Sequence, residues 1–329
     1  MRSIRLWTLL ALMLALAAAT TVTPAVAHPG HAKDVVLNGA NGYCDSTESS
    51  TFSSVRTLAS ASLSLARDID RYRHSPNRSG IADSTEIPSG AAVSSATGTI
   101  EVPVYFHVIT DGRTGQVSEA RVEEQITVMN LGYSGFYGGY DQGFRFVLKA
   151  IDYTDNAGWF AQDTFQQEIE MKSALKIGGP TDLNIYSTSG GGYLGWAYYP
   201  SIVKYNGYEV LDGLVINYGS MPGGRIKNYN LGHTATHEVG HWFGLAHTFA
   251  DGFGCNGHGD YVDDTAEEAT PTSGCPVGKD TCPTPGYDPI HNFMDYSYDS
   301  CYTQLTAGQA ARGQDQYMFW RAKKGYHGS

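Results

Sequence analysis

Basic residues are scarce in this chain of 329 residues: 22 lysines and arginines stand against 33 aspartates and glutamates, a formal charge of -11. They cluster nowhere, so the electrostatic footprint that nucleic acid or an anionic surface requires is missing. Nucleic-acid partners are thereby excluded. No Cys-x-x-Cys pair occurs among the five cysteines, which removes the commonest zinc-thiolate pattern and favours disulfides. Past residue 27 no apolar run is long enough to cross a bilayer, so membrane insertion is not expected. Internal repeats are absent as well. Charged residues make up only 17% while glycine (39) and tyrosine (22) are abundant, which suits an exported, loop-rich protein better than a disordered one. The length is ample for a hydrophobic core, so disulfides would brace the fold and not replace it.

What is present begins with a leader. Arg2 and Arg5 precede an apolar run over residues 6–19, and Ala25-Val26-Ala27 has the small-x-small pattern of signal-peptide cleavage. Residues 1–27 read as a signal peptide, and the protein as secreted and extracellular. Removing them takes two arginines away, leaving 20 basic against 33 acidic residues, a formal -13. Export lets disulfides persist. Cys255, Cys275, Cys282 and Cys301 lie close together near the carboxyl end, where four cysteines allow three connectivities, and Cys44 stands alone upstream.

Residues 28–98 are rich in serine, alanine and threonine, with a helical stretch over 51–74 carrying Leu58, Leu65 and Ile69 at helical spacing. From 75 to 98 the chain reads as a linker, where proteases cut. The pattern tightens from Thr99. Strands are predicted over 100–109 and 144–153, with short buried ones at 183–186 and 213–218. Helices are predicted over 118–136, opened by Ser118 with Arg121, Val122, Ile126, Met129 and Leu131 on its periodic face, over 164–176, and over 306–323. A glycine-rich aromatic stretch fills 190–200.

The chemistry concentrates at His237-Glu238-Val239-Gly240-His241-Trp242-Phe243-Gly244-Leu245-Ala246-His247. On a helix His237 and His241 sit one turn apart and project from one face, so both imidazoles can bind one metal. A catalytic zinc takes three protein ligands and a water. Gly244 can end the helix in a left-handed conformation and turn His247 back to the same ion. Glu238, beside them, is placed to take the proton of the zinc-activated water and later give it to the leaving amine. A bare H-E-x-x-H arises by accident in roughly 2% of such chains, but fixing the glycine and third histidine lowers this to on the order of 1 in 10,000. A downstream Glu267 or Glu268 is thus unnecessary as third ligand. His233, His258 and His291, near the motifs, read as loop or packing residues.

This pattern resembles the metzincin metalloproteases, and within them the pappalysin (cytophagalysin-like) family. The supporting residues are 236–249, Gly259-Asp260-Tyr261-Val262-Asp263-Asp264-Thr265, Asn292-Phe293-Met294-Asp295-Tyr296-Ser297 with Cys301, and Thr306-Ala307-Gly308-Gln309. The resemblance covers 99–329. It implies an α+β metzincin catalytic domain: a twisted mixed sheet with a backing helix and the active-site helix, then an irregular lower subdomain with a Met-turn and a carboxyl-terminal helix. The 28–98 region would be a small pro-segment and linker ahead of it. Met294 would form an apolar floor under one catalytic zinc, and Tyr296 would stabilise the oxyanion. The cysteines would pair Cys255-Cys282 and Cys275-Cys301. Asp260, Val262 through its carbonyl, and Thr265 resemble a structural calcium site, against a solvated acidic loop as the rival account. Tyr193, Leu194, Gly195, Trp196 and Ala197 resemble the edge strand that holds an extended substrate; from the residues alone a packed aromatic loop is as good a reading. Latency would come from Cys44 as a thiolate switch, or from Asp45 beside it, with an intermolecular disulfide as the other use of Cys44. Arg73 and Arg78 are candidate maturation points. Some relatives carry a carboxylate just before the last cysteine and favour basic residues beside the cut; here Ser300 stands there, with Asp299 one earlier, so a basic preference is not expected.

The function expected is a secreted zinc endopeptidase made as a zymogen, acting on protein or peptide substrates as a monomer. The rival from another class is a catalytically inert peptide- or partner-binding protein on the same scaffold, and retention of Glu238 argues against it.

Overall fold

The computed structural model of the protein describes residues 32–33, 99–203, 208–249, 255 and 259–322. The helical stretch over 51–74, Cys44, Asp45, Arg73, Arg78 and His258 lie outside the described residues.

The sheet is built from β1 (Ala32–Lys33), β2 (Ile100–Thr110), β3 (Phe144–Asp155), β4 (Leu183–Thr188), β5 (Gly195–Ala197) and β6 (Leu214–Asn217), in the order β1-β5-β6-β4-β2-β3. β3, β2, β4 and β6 run parallel, and β5 returns antiparallel to β6. Alternation decides which side chain faces which layer. Val102, Val104, Phe106 and Val108 of β2, with Ile185, Leu214 and Ile216, join one apolar cluster; Ile109, Tyr186, Val215 and Trp196 join the other. Both faces of the sheet are covered, as parallel strands require.

α1 (Glu119–Tyr133) and α5 (His233–Trp242) pack on the first face; α2 (Ala157–Ala161) and α3 (Phe165–Leu175) pack on the second, and α4 (Pro200–Val203) is a single turn. Ser118 caps α1 by accepting from the Arg121 amide, and Thr164 with Gln167 forms a capping box on α3. α1 ends three residues before the predicted Phe136, because Gly135 takes a left-handed φ of 73°. Its buried face also differs from the predicted one: Gln125, Gly132 and Tyr133 are buried with Val122, Ile126 and Met129, whereas Leu131 and Arg121 are only partly so. Arg121 instead reaches across to donate to the carbonyls of Tyr218, Met221 and Pro222. α2 was not foreseen in the sequence, being too short for a periodic signal.

Below the sheet, the described residues between 245 and 302 form an irregular half that includes a 3₁₀ turn at Asp299–Cys301. The structure bonds Cys255 to Cys282 and Cys275 to Cys301, with Cα atoms 5.3 and 5.6 Å apart. Buried charge braces it further: Lys279 meets Glu268 at 2.5 Å and Asp288 at 3.0 Å. α6 (Ala307–Tyr317), capped by Thr306 and Gln309, closes the chain and relaxes into a π turn over Met318–Ala322 instead of running straight to 323.

Candidate active site

α5 is buried along its whole length, so its polar side chains face protein on every side. His237 and His241 bring their Nε2 atoms to 3.0 Å, and His241 and His247 do the same at 3.0 Å. Gly244, at φ 89°, makes the turn that brings His247 back: its amide donates to the His241 carbonyl and that of Leu245 to the Gly240 carbonyl. His237 Nδ1 lies 2.6 Å from the Phe293 carbonyl and His241 Nδ1 2.8 Å from that of Leu245. A carbonyl only accepts, so both Nδ1 atoms carry the proton and both Nε2 atoms present lone pairs. Lone pairs converging at 3.0 Å repel unless a cation lies between them. Zinc–nitrogen bonds of ~2.1 Å in a tetrahedron place nitrogens ~3.4 Å apart, so the donor set fits zinc.

The neighbours of the histidines come from α5 itself and from two distant segments. Glu238 is fully buried, and β5 passes so close that a Cβ on Gly195 would stand 3.0 Å from Glu238 Oε1. Met294 is equally buried, and its sulfur packs on Gly240 where any side chain would overlap it. Glycine inside the motif is thus needed for the Met-turn to approach. Tyr296 sets its ring 4.9 Å from that of His247 and 5.9 Å from that of His237. The Thr248 amide donates to the Met294 carbonyl at 3.2 Å, which ties the end of the motif to the Met-turn.

Of the aromatic run, only Gly195–Ala197 is strand, paired through Gly195↔Ile216, Trp196↔Val215 and Ala197↔Leu214. Its side chains are anchored from behind. Trp196 Nε1 donates to Glu168 Oε1 at 2.9 Å and the Tyr198 hydroxyl to Glu168 Oε2 at 3.2 Å. Glu168 pairs with Lys172 at 2.8 Å, both fully buried, and Lys172 Nζ donates to the Leu211 carbonyl just ahead of β6. A buried charge pair survives when its remaining donors and acceptors are met, and here they are met by both strands. In the sequence the pair looks like an ordinary exposed i,i+4 couple.

Other expected residues fall elsewhere. Asp260 Oδ1 accepts from the Val262 amide at 3.1 Å and the Thr265 hydroxyl at 2.6 Å, and burial pushes its carboxyl up to about 7. His233 packs against Phe293 with burial pushing it down to about 4, and His291 Nδ1 donates to the Cys301 carbonyl. Neither joins the histidine cluster. Glu268 accepts from the Thr248 and Thr272 hydroxyls, and Glu267 from that of Thr284, so both carboxylates serve the lower half. Asp299, which the sequence offers only as a neighbour of Ser300, is buried and accepts from the Leu231 amide at 2.7 Å.

Comparison with known proteins decides the family. A model described as Peptidase_M43, pregnancy-associated plasma protein-A, matches residues 187–317. An extracellular metalloprotease of Sordaria macrospora is 44% identical over 259 residues, covering 75% of this chain and 87% of that protein. The chain belongs to the pappalysin family of metzincin metalloproteases. It is a metalloendopeptidase. An extracellular metalloprotease of Pyricularia oryzae is 45% identical over 245 residues, covering 73% of this chain and 82% of the relative. Among solved structures, mature mirolysin of Tannerella forsythia in complex with a cleaved peptide superposes with a TM-score of 0.59 at 27% identity, over 67% of this chain and 92% of that one. The family implies zinc, and the three histidines form a donor set that fits it.

Proposed function

We propose that this pappalysin is a secreted endopeptidase made as a zymogen, with His237, His241 and His247 as zinc ligands and Glu238 as general base and then general acid. The observation that carries this reading is the convergence of three imidazole Nε2 atoms, with His241 3.0 Å from each of the other two, beside a buried carboxylate on the same helix. A zinc ion held there supplies Lewis acidity and brings the pKa of its water near neutrality. Glu238 accepts the proton of the attacking water and passes it to the departing amine, which splits the peptide bond without a covalent intermediate. Tyr296 donates its hydroxyl to the oxygen that gains charge only in the transition state. Met294 holds α5 from below through Gly240. β5 takes the substrate as an added antiparallel strand, so main-chain hydrogen bonds bind any extended peptide.

Residues 1–27 direct export, 28–98 keep the enzyme silent, and 99–329 do the chemistry. The backbone of Ala32–Lys33 pairs antiparallel with Trp196 and Ala197 of β5, which supports a pro-segment occupying the edge that substrate needs. Cys44, or Asp45, then blocks the site until the linker is cut at Arg73 or Arg78. Asp260, Val262 and Thr265 hold calcium; the buried Asp260 Oδ2 has no hydrogen-bond partner among the described residues, which favours a cation there. The mature enzyme works as a monomer.

The test is digestion of a denatured protein mixture by secreted, processed protein, with cut sites read by mass spectrometry. Internal cleavage should vanish with a zinc chelator, return with zinc, and fall roughly 10²–10⁴-fold in Glu238→Ala at unchanged zinc content and melting temperature. Zinc-loaded, processed protein that cuts nothing would turn the reading to a peptide-binding protein. A rise in melting temperature on adding calcium, lost in Asp260→Ala, checks the second metal.

A further inference from the structure

β5 holds to β6 through three residue pairs, Gly195↔Ile216, Trp196↔Val215 and Ala197↔Leu214. A strand this short is marginal by its backbone alone, and a slip of one residue would exchange its two faces. Here the two faces have different work. Gly195 stands where a Cβ would come within 3.0 Å of Glu238 Oε1, Ala197 joins the apolar cluster that holds α5, and the Tyr199 ring lies edge-on to that of His241 at 5.5 Å. The alternate residues, Trp196 and Tyr198, are buried in the opposite layer.

In that layer both side chains end on one carboxylate. Glu168 Oε1 accepts from Trp196 Nε1 at 2.9 Å and Oε2 from the Tyr198 hydroxyl at 3.2 Å. Burial and the Glu168 carboxylate push the Tyr198 hydroxyl well above its ordinary range, which keeps it a donor. Lys172 Nζ lies 2.8 Å from Glu168 Oε1 and 5.2 Å from the centre of the Tyr198 ring, and donates to the Leu211 carbonyl at 2.6 Å. Glu168 and Lys172 are one turn apart on α3. That turn therefore joins β5, through the carboxylate, to the segment entering β6, through the ammonium. Both side chains are fully buried, where an ion pair stabilises no better than apolar residues of the same volume. What the pair adds is direction: two fixed acceptor oxygens match the donors of Trp196 and Tyr198 in one register of β5 and in no register slipped by one residue.

We propose that Glu168 and Lys172 are positioning residues that latch the substrate strand: by fixing β5 against β6 they set the main-chain groups with which an extended peptide pairs. They govern the affinity for long peptides and leave the bond-breaking step to the residues around the histidines. Neither side chain touches the peptide. An added strand gains affinity residue by residue only where successive N–H and C=O groups keep strand spacing, whereas a slack β5 would have to be ordered by each peptide that binds. The inference rests on the peptidase reading above, with β5 as its substrate edge.

The test uses the full chain, expressed for secretion, processed and loaded with zinc. Trp196→Phe and Tyr198→Phe each keep a ring and delete one donor to Glu168; Glu168→Gln with Lys172→Met keeps the volume and removes both charges. Calorimetry gives Kd for acetohydroxamate, which reaches only the zinc, and for a hexapeptide hydroxamate, which also lies along β5, while hydrolysis of an octapeptide gives kcat and KM. Each variant should weaken the hexapeptide hydroxamate roughly fivefold or more and raise KM by a similar factor, with acetohydroxamate binding and kcat within about twofold of the wild type. Equal weakening of both hydroxamates, a loss confined to kcat, or unchanged hexapeptide binding in every folded variant overturns the proposal. So does wild-type protein that binds the hexapeptide no tighter than acetohydroxamate. Absence of cleavage with the hydroxamate pattern intact sinks the peptidase reading alone; if the charge-free variant does not fold, the two single deletions decide.

Discussion

The two halves of the molecule hold their parts of the site by different physics. Above the cleft, β2, β4 and β6 alternate their side chains between two apolar layers, and α5 lies in one of them with Val239 and Trp242 fully buried. Below it, the described residues between 245 and 302 have almost no regular structure and carry two disulfides and buried carboxyls with elevated pKa values: Asp260, Glu268, Asp295 and Asp299. The upper half fixes the helix that carries His237, Glu238 and His241 by area removed from water, an interaction indifferent to pH and redox state. The lower half shares that apolar cluster through Leu245, Phe293, Met294 and Tyr302, and adds covalent and polar bonds that respond to both. Neither half contains a complete site.

The largest expected effect lies in the sheet. Phe106→Ala, at a fully buried position of β2, should cost about 3–5 kcal/mol in denaturant unfolding, and both halves should melt together because α5 loses its bed. Next comes the bracing below. Replacing Cys275 and Cys301 by alanine should cost about 2–5 kcal/mol, with amide exchange rising first over 259–302 while β2 and β4 stay protected. Equal loss of protection in both regions would show one cooperative unit and break the contrast. At the seam, Gly240→Ala should cost about 1–3 kcal/mol by forcing Met294 away, and should lower zinc affinity more than it lowers the melting temperature.

The smallest effect is on pH. Burial raises the folded-state pKa of Glu268 and Asp299 to about 7, from ordinary values near 4. The folded state therefore binds more protons than the unfolded one between those limits, and stability declines as pH rises through that window. Melting temperature measured with excess zinc should fall from pH 6 to pH 8, and the slope should flatten in Glu268→Gln. A slope unchanged in that variant would place the dependence on the other buried carboxyls, such as Asp299.

Legibility followed the same division. β2, the cap Ser118, the helix starts near 164 and 306, and the strand predicted over 213–218 and observed over Leu214–Asn217 were readable because alternation and capping are local signals. The helix termini slipped where Gly135 and the π turn after Tyr317 intervened. The burial of Glu168 and Lys172 was invisible because an i,i+4 pair reads the same on a surface as in a core. The role of Asp299 was hidden for a related reason: no local pattern reveals that a carboxylate in a loop will meet the start of a helix far back in the chain.

By itself the sequence determined the histidine motif, since His237 and His241 need only one helical turn, and Gly244 only one left-handed φ, to bring three imidazoles together. The tertiary structure alone decided what surrounds them: which strand edge runs past Glu238, which sulfur rests on Gly240, and that Asp299 is spent on the amides of α5. The reason is range. Ligand spacing is set by bonds and dihedrals a few residues apart, whereas burial, charge compensation and the walls of a pocket are set by segments that meet only when the chain is packed.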